Sequence, residues 1–188
     1  MFNEEYILNK AIKGEQEAFT QLYDLYFDRI YKYMYFRMKK QSEAEDLTQE
    51  VFIKALKGIS SYKIGATPFS SWLYRIAHNQ VIDHIRKNEK HQSVSLDEVT
   101  SLAADSDPVE ETERQMEIDE LTAAIARLPA AQQEVISLRF IAGLPISDVA
   151  KISGKSEGTV KALQFNATMS LRKLMVRKQD GTAIRENI

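Results

Sequence analysis

Three groups of residues in this chain have types and spacings that can do chemistry. Asp46, Gln49, Glu50 and Ile53 recur at i, i+3, i+4 and i+7, so a helix carries them on one face, polar groups around an apolar one. Glu45 and Asp46 also lie in a first turn, where acids simply complement the helix dipole. Further on, one helix carries Phe69, Trp72 and Tyr74 together with Arg75, Asn79, Asp83 and Arg86. Aromatic faces among polar and basic groups can hold unpaired nucleic-acid bases. Trp72, the only tryptophan, and Phe69 serve equally well as core.

The third group spans residues 146–163. Ala150 is small where two helices would cross, Gly154 tolerates positive φ in the turn, and Ser156 can cap the next helix. Val149, Val160 and Leu163 then anchor that second helix on the first, which predicts a helix-turn-helix. An ordinary helical hairpin is the plainer alternative. On a helical wheel, Val160, Leu163, Ala167, Leu171 and Leu174 form one buried stripe, while Lys161, Ala162, Phe165, Asn166 and Met169 face outward. With Ser156 and Thr159 at its start, this second helix is the candidate reader of duplex DNA. An exposed Phe165 beside Ala162 can meet thymine methyls or a protein regulator.

Enzyme chemistry fails on inventory. The chain has no G-x-x-x-x-G-K-[ST], no G-x-G-x-x-G and no H-E-x-x-H, and its three histidines lack a nucleophile partner. His78 and His84 read as surface residues, since nothing nearby completes a metal site. No cofactor is implied.

The elements that must position these groups are helical. Phe19, Leu22, Tyr23, Tyr26, Phe27 and Ile30, continued by Met34, make a broad stripe. Ser42 with Glu45 reads as a capping box opening a helix that stops at Gly58. Thr67-Pro68 opens another, bearing Trp72, Leu73, Ile76, Ala77, Val81, Ile82 and Ile85. Periodicity fails over residues 88–113 and returns at Met116, Ile118, Leu121, Ile125 and Leu128, before Pro129 breaks the helix. Short helices come next, then a last one to about Arg177.

Charge divides the chain along the same lines. The net of −2 resolves into +2 for residues 1–87, −7 for residues 88–113 and +3 for residues 114–188. Two mildly basic modules flanking an acidic strap point weakly to a polyanion partner. The expectation is an all-α protein of two small helical domains, 1–87 and 114–178, joined by an acidic flexible linker, 88–113, with a tail over 179–188. The C-terminal domain carries the helix-turn-helix. The absence of cysteine fits a reducing compartment. No leader-like apolar core opens the chain, and no run nears the roughly 20 apolar residues of a membrane helix. A soluble cytoplasmic protein, without membrane insertion, is expected.

Several stretches also carry a family resemblance. LPAAQQEVISLRFIAGLPISDVAKISGKSEGTVKAL, residues 128–163, closely resembles the fourth conserved region of bacterial sigma factors of the extracytoplasmic-function (ECF) group. AEDLTQEVFIKAL, residues 44–56, looks like that family's polymerase-binding helix, and PFSSWLYRIAHNQVIDHIRK, residues 68–87, resembles its promoter-melting helix. EAFTQLYDLYFDRIYKY, residues 17–33, extends the likeness, so it covers most of the chain outside the linker and tail.

The resemblance implies a sigma factor that directs RNA polymerase to promoters. It implies that Asp46, Gln49, Glu50 and Ile53 dock on core polymerase, with Leu47, Val51 and Phe52 as core. It implies that the loop over residues 60–67, with Tyr62 and Lys63, holds a flipped minus-ten base, and that Phe69, Trp72, Arg75, Asn79, Asp83 and Arg86 serve the same element. Ser156, Thr159, Lys161, Ala162, Phe165 and Asn166 match the minus-thirty-five reader. Here the chain departs from the pattern, because many relatives carry arginines at the positions of Leu163, Asn166 and Thr168. Lys161 is the only basic residue from 157 to 171. Fewer phosphate contacts imply weak duplex binding by the module alone, with Lys151, Lys155, Arg172 and Lys173 reaching phosphates only near helix ends. The linker would thread into the polymerase near the template strand. Core polymerase, promoter DNA and an anti-sigma factor are the partners implied. A stand-alone helix-turn-helix regulator is the alternative function, and a helical adaptor a third that leaves the turn at Gly154 unexplained.

Overall fold

The computed structural model describes residues 3–38, 40–92 and 110–183. Among them every regular element is helical, and the chain divides into two compact units, Met1–Thr100 and Ser101–Ile188.

The first unit opens with a helix that periodicity alone does not announce, α1 (Glu4–Ile12). Asn3 caps it, its Oδ1 accepting the Tyr6 N–H at 3.1 Å, and Glu4 and Glu5 sit where the dipole favours acids. Ile7, Leu8 and Ala11 bury its inner face against α2 (Gln16–Met38). Tyr26 on α2 donates to Glu4 Oε1 at 2.5 Å and so pins the start of α1. Burial, and then the Glu4 carboxylate, hold that phenol protonated well above the ordinary tyrosine range.

Next comes α3 (Gln41–Gly58), two residues earlier than a cap at Ser42 would place it. Lys40 precedes it with no side-chain cap, so the capping box is not formed. Glu43 pairs with Lys40 at 3.5 Å and Gln41 donates to Glu45 at 2.9 Å instead. A 3-10 turn, Ile59–Ser61, leads to α4 (Phe69–Gln92), which starts directly after Pro68. The core lies between α2, α3 and α4, where Leu22, Ile30, Tyr33, Met34, Val51, Leu73, Tyr74 and Val81 are almost fully buried. Tyr33 and Tyr74 meet edge-to-face, and burial pushes the Tyr74 phenol up to about 12.

The second unit packs α5 (Glu110–Ala126), α6 (Ala130–Ile136) and α7 (Ile146–Ser153) on α8 (Glu157–Ala183). Pro129 separates α5 from α6, because it has no N–H to continue the helix and its ring clashes with the preceding turn. α6 widens into a π turn, Ser137–Ile141, where the Ala142 N–H reaches back to the Ser137 carbonyl at 2.9 Å. Ile125, Leu138, Val135, Val149, Val160 and Ala167 form the core.

Helix therefore runs to Gln92 and resumes at Glu110, inside the stretch read as linker. Residues 93–109, which hold most of that stretch, lie outside the described residues. The last helix runs past Arg177 to Ala183, and residues 184–188 of the tail also lie outside.

Candidate docking and nucleic-acid interfaces

On α3 the helical period sorts the side chains cleanly. Ala44, Leu47, Thr48, Val51, Phe52 and Ala55 are buried, while Asp46, Gln49, Glu50 and Ile53 are exposed. Ile53 keeps 52% of its surface open to solvent, and Leu56, one turn further on, 54%. Sequence reasoning missed Leu56, although continuing the same period by three residues would have found it. The face is thus an apolar pair at one end and acids at the other.

Glu50 is also held from behind. Gln80 on α4 is buried and donates from Nε2 to Glu50 Oε2 at 2.5 Å, while its Oε1 accepts from the Lys54 ammonium. No periodicity distinguishes an inward glutamine on a mixed helix from an outward one, so this link was not legible.

Around the loop before α4 the expectation needs correcting. Tyr62 and Phe69 were read as groups for bases, yet both are core, at 8% and 4% exposure. Tyr62, Phe69 and Trp72 form a closed triangle with ring centroids 5.4–5.6 Å apart. The Tyr62 hydroxyl donates to the Thr67 carbonyl at 2.6 Å and fastens the two ends of the loop. Burial, and then the nearby Glu4 charge, raise that phenol's pKa. Trp72 is half-buried beside Gly58, and Lys63 is exposed.

Along α4, Arg75, Asn79, Asp83 and Arg86 are all exposed and, at i, i+4, i+8 and i+11, share one side of the helix. His78 was read as a surface residue and is buried. His84 is half-buried, its Nε2 lying 3.2 Å from Glu43 Oε2, which ties α4 to the start of α3. No group of three or more metal-ligating side chains occurs among the described residues.

In the second unit the turn has the geometry its sequence predicts. Gly154 adopts φ 67° and ψ 26°, and the Lys155 N–H bonds the Ala150 carbonyl at 3.0 Å, the Schellman closure of a helix. Ser156 then caps α8, its Oγ accepting the Thr159 N–H at 3.1 Å. Val149, Ala150 and Val160 are buried at the crossing, and Leu163 is half-buried. Lys161, Ala162, Phe165 and Asn166 are exposed, as are Thr159 and Ser156. Lys155, read as able to reach a phosphate, instead pairs with Glu134 at 2.6 Å and braces α6 against the turn.

Comparison with known proteins decides what carries this geometry. The Sigma-70 region 2 model matches residues 22–91 and the Sigma-70 region 4 model residues 124–173. The ECF RNA polymerase sigma factor SigW of Bacillus subtilis is 34% identical over 175 residues, covering 88% of this chain and 93% of SigW. The chain belongs to the ECF sigma factors. BldN of Streptomyces coelicolor, another ECF RNA polymerase sigma factor, is 35% identical over 90% of this chain, which spans 64% of BldN's length. Among solved structures, the sigma factor RpoE in complex with the anti-sigma factor NepR from Bartonella quintana matches with a TM-score of 0.68 at 25% identity, covering 84% of this chain and 96% of RpoE. CnrH, solved with the cytosolic domain of CnrY, has the same fold: TM-score 0.71 at 20% identity, over 93% of this chain and 97% of CnrH.

This sigma factor is a transcription initiation factor and not an enzyme. The two matched regions fall one in each compact unit, in the family's order, which sets aside the stand-alone regulator. No described helix is long and apolar enough to cross a membrane.

Proposed function

We propose that this sigma factor binds core RNA polymerase through the exposed face of α3, opens promoters with the polar side of α4, and reads the minus-thirty-five element with α8. The observation that carries this division of labour is the exposure of the three groups on three different helices, each group on one side of its helix. Asp46, Gln49, Glu50 and Ile53, with Leu56 added, form the docking face. Its apolar end can be desolvated at the centre of an interface while the acids meet basic groups at the rim.

Lys63, Arg75, Asn79, Asp83 and Arg86 meet the minus-ten strand, with the partly open Trp72 beside them. Tyr62 and Phe69 act beneath the loop, holding its shape rather than touching bases. Unpaired bases offer their hydrogen-bonding edges only after melting, so exposed amides and carboxylates here favour the open strand over the duplex. Ser156, Thr159, Lys161, Ala162, Phe165 and Asn166 lie at the start of α8 and on its outer side, where a recognition helix meets base edges and phosphates. The chain works in the cytoplasm, where its polymerase is. An anti-sigma factor is a further partner, a reading supported by the RpoE–NepR complex of a similar protein.

The test is run-off transcription by purified core polymerase plus this chain on a library of promoter fragments. Specific transcripts are expected, and reversing both charges in Asp46→Lys/Glu50→Lys should abolish them without unfolding the protein. Wild-type transcription by that variant would remove α3 from the docking role.

A further inference from the structure

Most polar groups along the outer part of α8 are already committed within the domain. The Gln164 side-chain carbonyl accepts from Arg139 Nε at 3.0 Å, and the Thr168 hydroxyl donates to the Gln164 backbone at 2.9 Å. Ser156 and Thr159 hydroxyls bond each other at 2.9 Å. What remains is Ala162, Phe165, Asn166 and Met169, at i, i+3, i+4 and i+7 on one face. Phe165 is 67% exposed and Met169 42%. Asn166 is exposed and makes no hydrogen bond among the described residues, so its amide donor and acceptor are both available.

This apolar face lies on a helix that carries five Lys or Arg, Lys161 beside the face and the other four beyond it, against two acids, Glu157 and Asp180. That imbalance favours a polyanion over an apolar protein groove as its occupant. In the major groove the four base pairs differ in what they show. Guanine offers two acceptors best met by Arg or Lys, adenine an acceptor and a donor that match one amide, and thymine a methyl group. The exposed face of α8 offers the Asn166 amide and three apolar side chains, with Lys161 its one cation over residues 157–171.

We infer that α8 selects A·T base pairs, with Ala162, Phe165 and Met169 against thymine methyls and the Asn166 amide on an adenine edge. The inference rests on the proposal that α8 occupies the major groove. It supplies specificity where charge is scarce, because packing on a methyl needs no arginine.

The experiment uses the full chain bound to core polymerase and a pool of linear duplexes randomised across both promoter elements, selected for productive transcription. An upstream element rich in A·T pairs is expected. Resynthesis with deoxyuridine for thymidine in that element removes only the methyls, and should weaken binding about fourfold per contacted methyl, the worth of burying one such carbon. Replacing adenine there by 7-deazaadenine removes the N7 acceptor and should cost about tenfold at the contacted pair. Phe165→Ala should remove the deoxyuridine effect at the one methyl that Phe165 covers, and Asn166→Ala the 7-deazaadenine effect, both being exposed positions whose substitution spares the core. Selection of a G·C-rich element, or indifference to deoxyuridine, overturns the inference while leaving α8 as a DNA reader. Transcription with no upstream sequence preference overturns the groove placement and the inference together.

Discussion

The Gln80 amide lies buried between α3 and α4, giving a hydrogen bond to Glu50 and taking one from Lys54. It fixes the carboxylate's direction without neutralising it. Gln80→Leu fills a similar volume and lets Glu50 and Lys54 return to water, so stability should change by only about 1 kcal/mol. Affinity for core polymerase should fall several-fold, and should fall no further when Glu50→Ala is already present. Titrations of core polymerase with the two single variants and the double one check this. Additive losses would mean that Gln80 acts independently of Glu50.

Tyr62 gives a prediction that differs from the one its aromatic ring first suggests. Tyr62→Phe should cost about 1 kcal/mol by breaking the bond to Thr67, and Tyr62→Ala about 3–5 kcal/mol by opening a cavity beside Phe69 and Trp72. Urea unfolding measures both. Loss of open complexes by Tyr62→Phe at a temperature where it is fully folded would show that the hydroxyl has a task on DNA.

Asn79→Ala should leave the melting temperature unchanged, since the side chain is exposed. It should reduce permanganate reactivity of the melted strand more than it reduces closed-complex binding. Equal effects on the two would place Asn79 on the duplex.

The Lys155–Glu134 pair makes the helix-turn-helix sensitive to a residue that does not need to touch DNA. Lys155→Met removes one partner of a nearly buried carboxylate and should destabilise the second unit by about 1–3 kcal/mol. Glu134→Gln/Lys155→Met should recover part of that loss. Thermal unfolding of the full chain, followed by circular dichroism, tells the two apart.

Helices with a one-sided apolar pattern were legible. The stripes through Leu22, Ile30 and Met34, and through Leu73, Ala77 and Val81, are buried as their spacing demands. The turn at Gly154 was legible because positive φ and a following cap leave few alternatives. α1 was not, because its short run of charges and apolar residues signals mainly what it is not. Gln80 and His78 were not either: a polar side chain on a helix turns inward or outward according to the neighbouring helix, which composition does not reveal. Ser42 shows the converse, a cap signature overruled when Lys40 already had extended backbone. Among the candidate site residues, those chosen by period alone proved exposed, while Tyr62 and Phe69, chosen for aromatic chemistry, proved to be core.

The row Arg75, Asn79, Asp83 and Arg86 also acts as a measure of length. Eleven residues of helix rise about 16 Å, while stacked bases advance about 3.4 Å along one strand. A rigid α4 can therefore follow no more than roughly five nucleotides, and fewer once the bases are pulled apart. In promoters served by this protein, the part of the downstream element read by α4 should be that short, with the loop bearing Lys63 adding only what lies beyond the row.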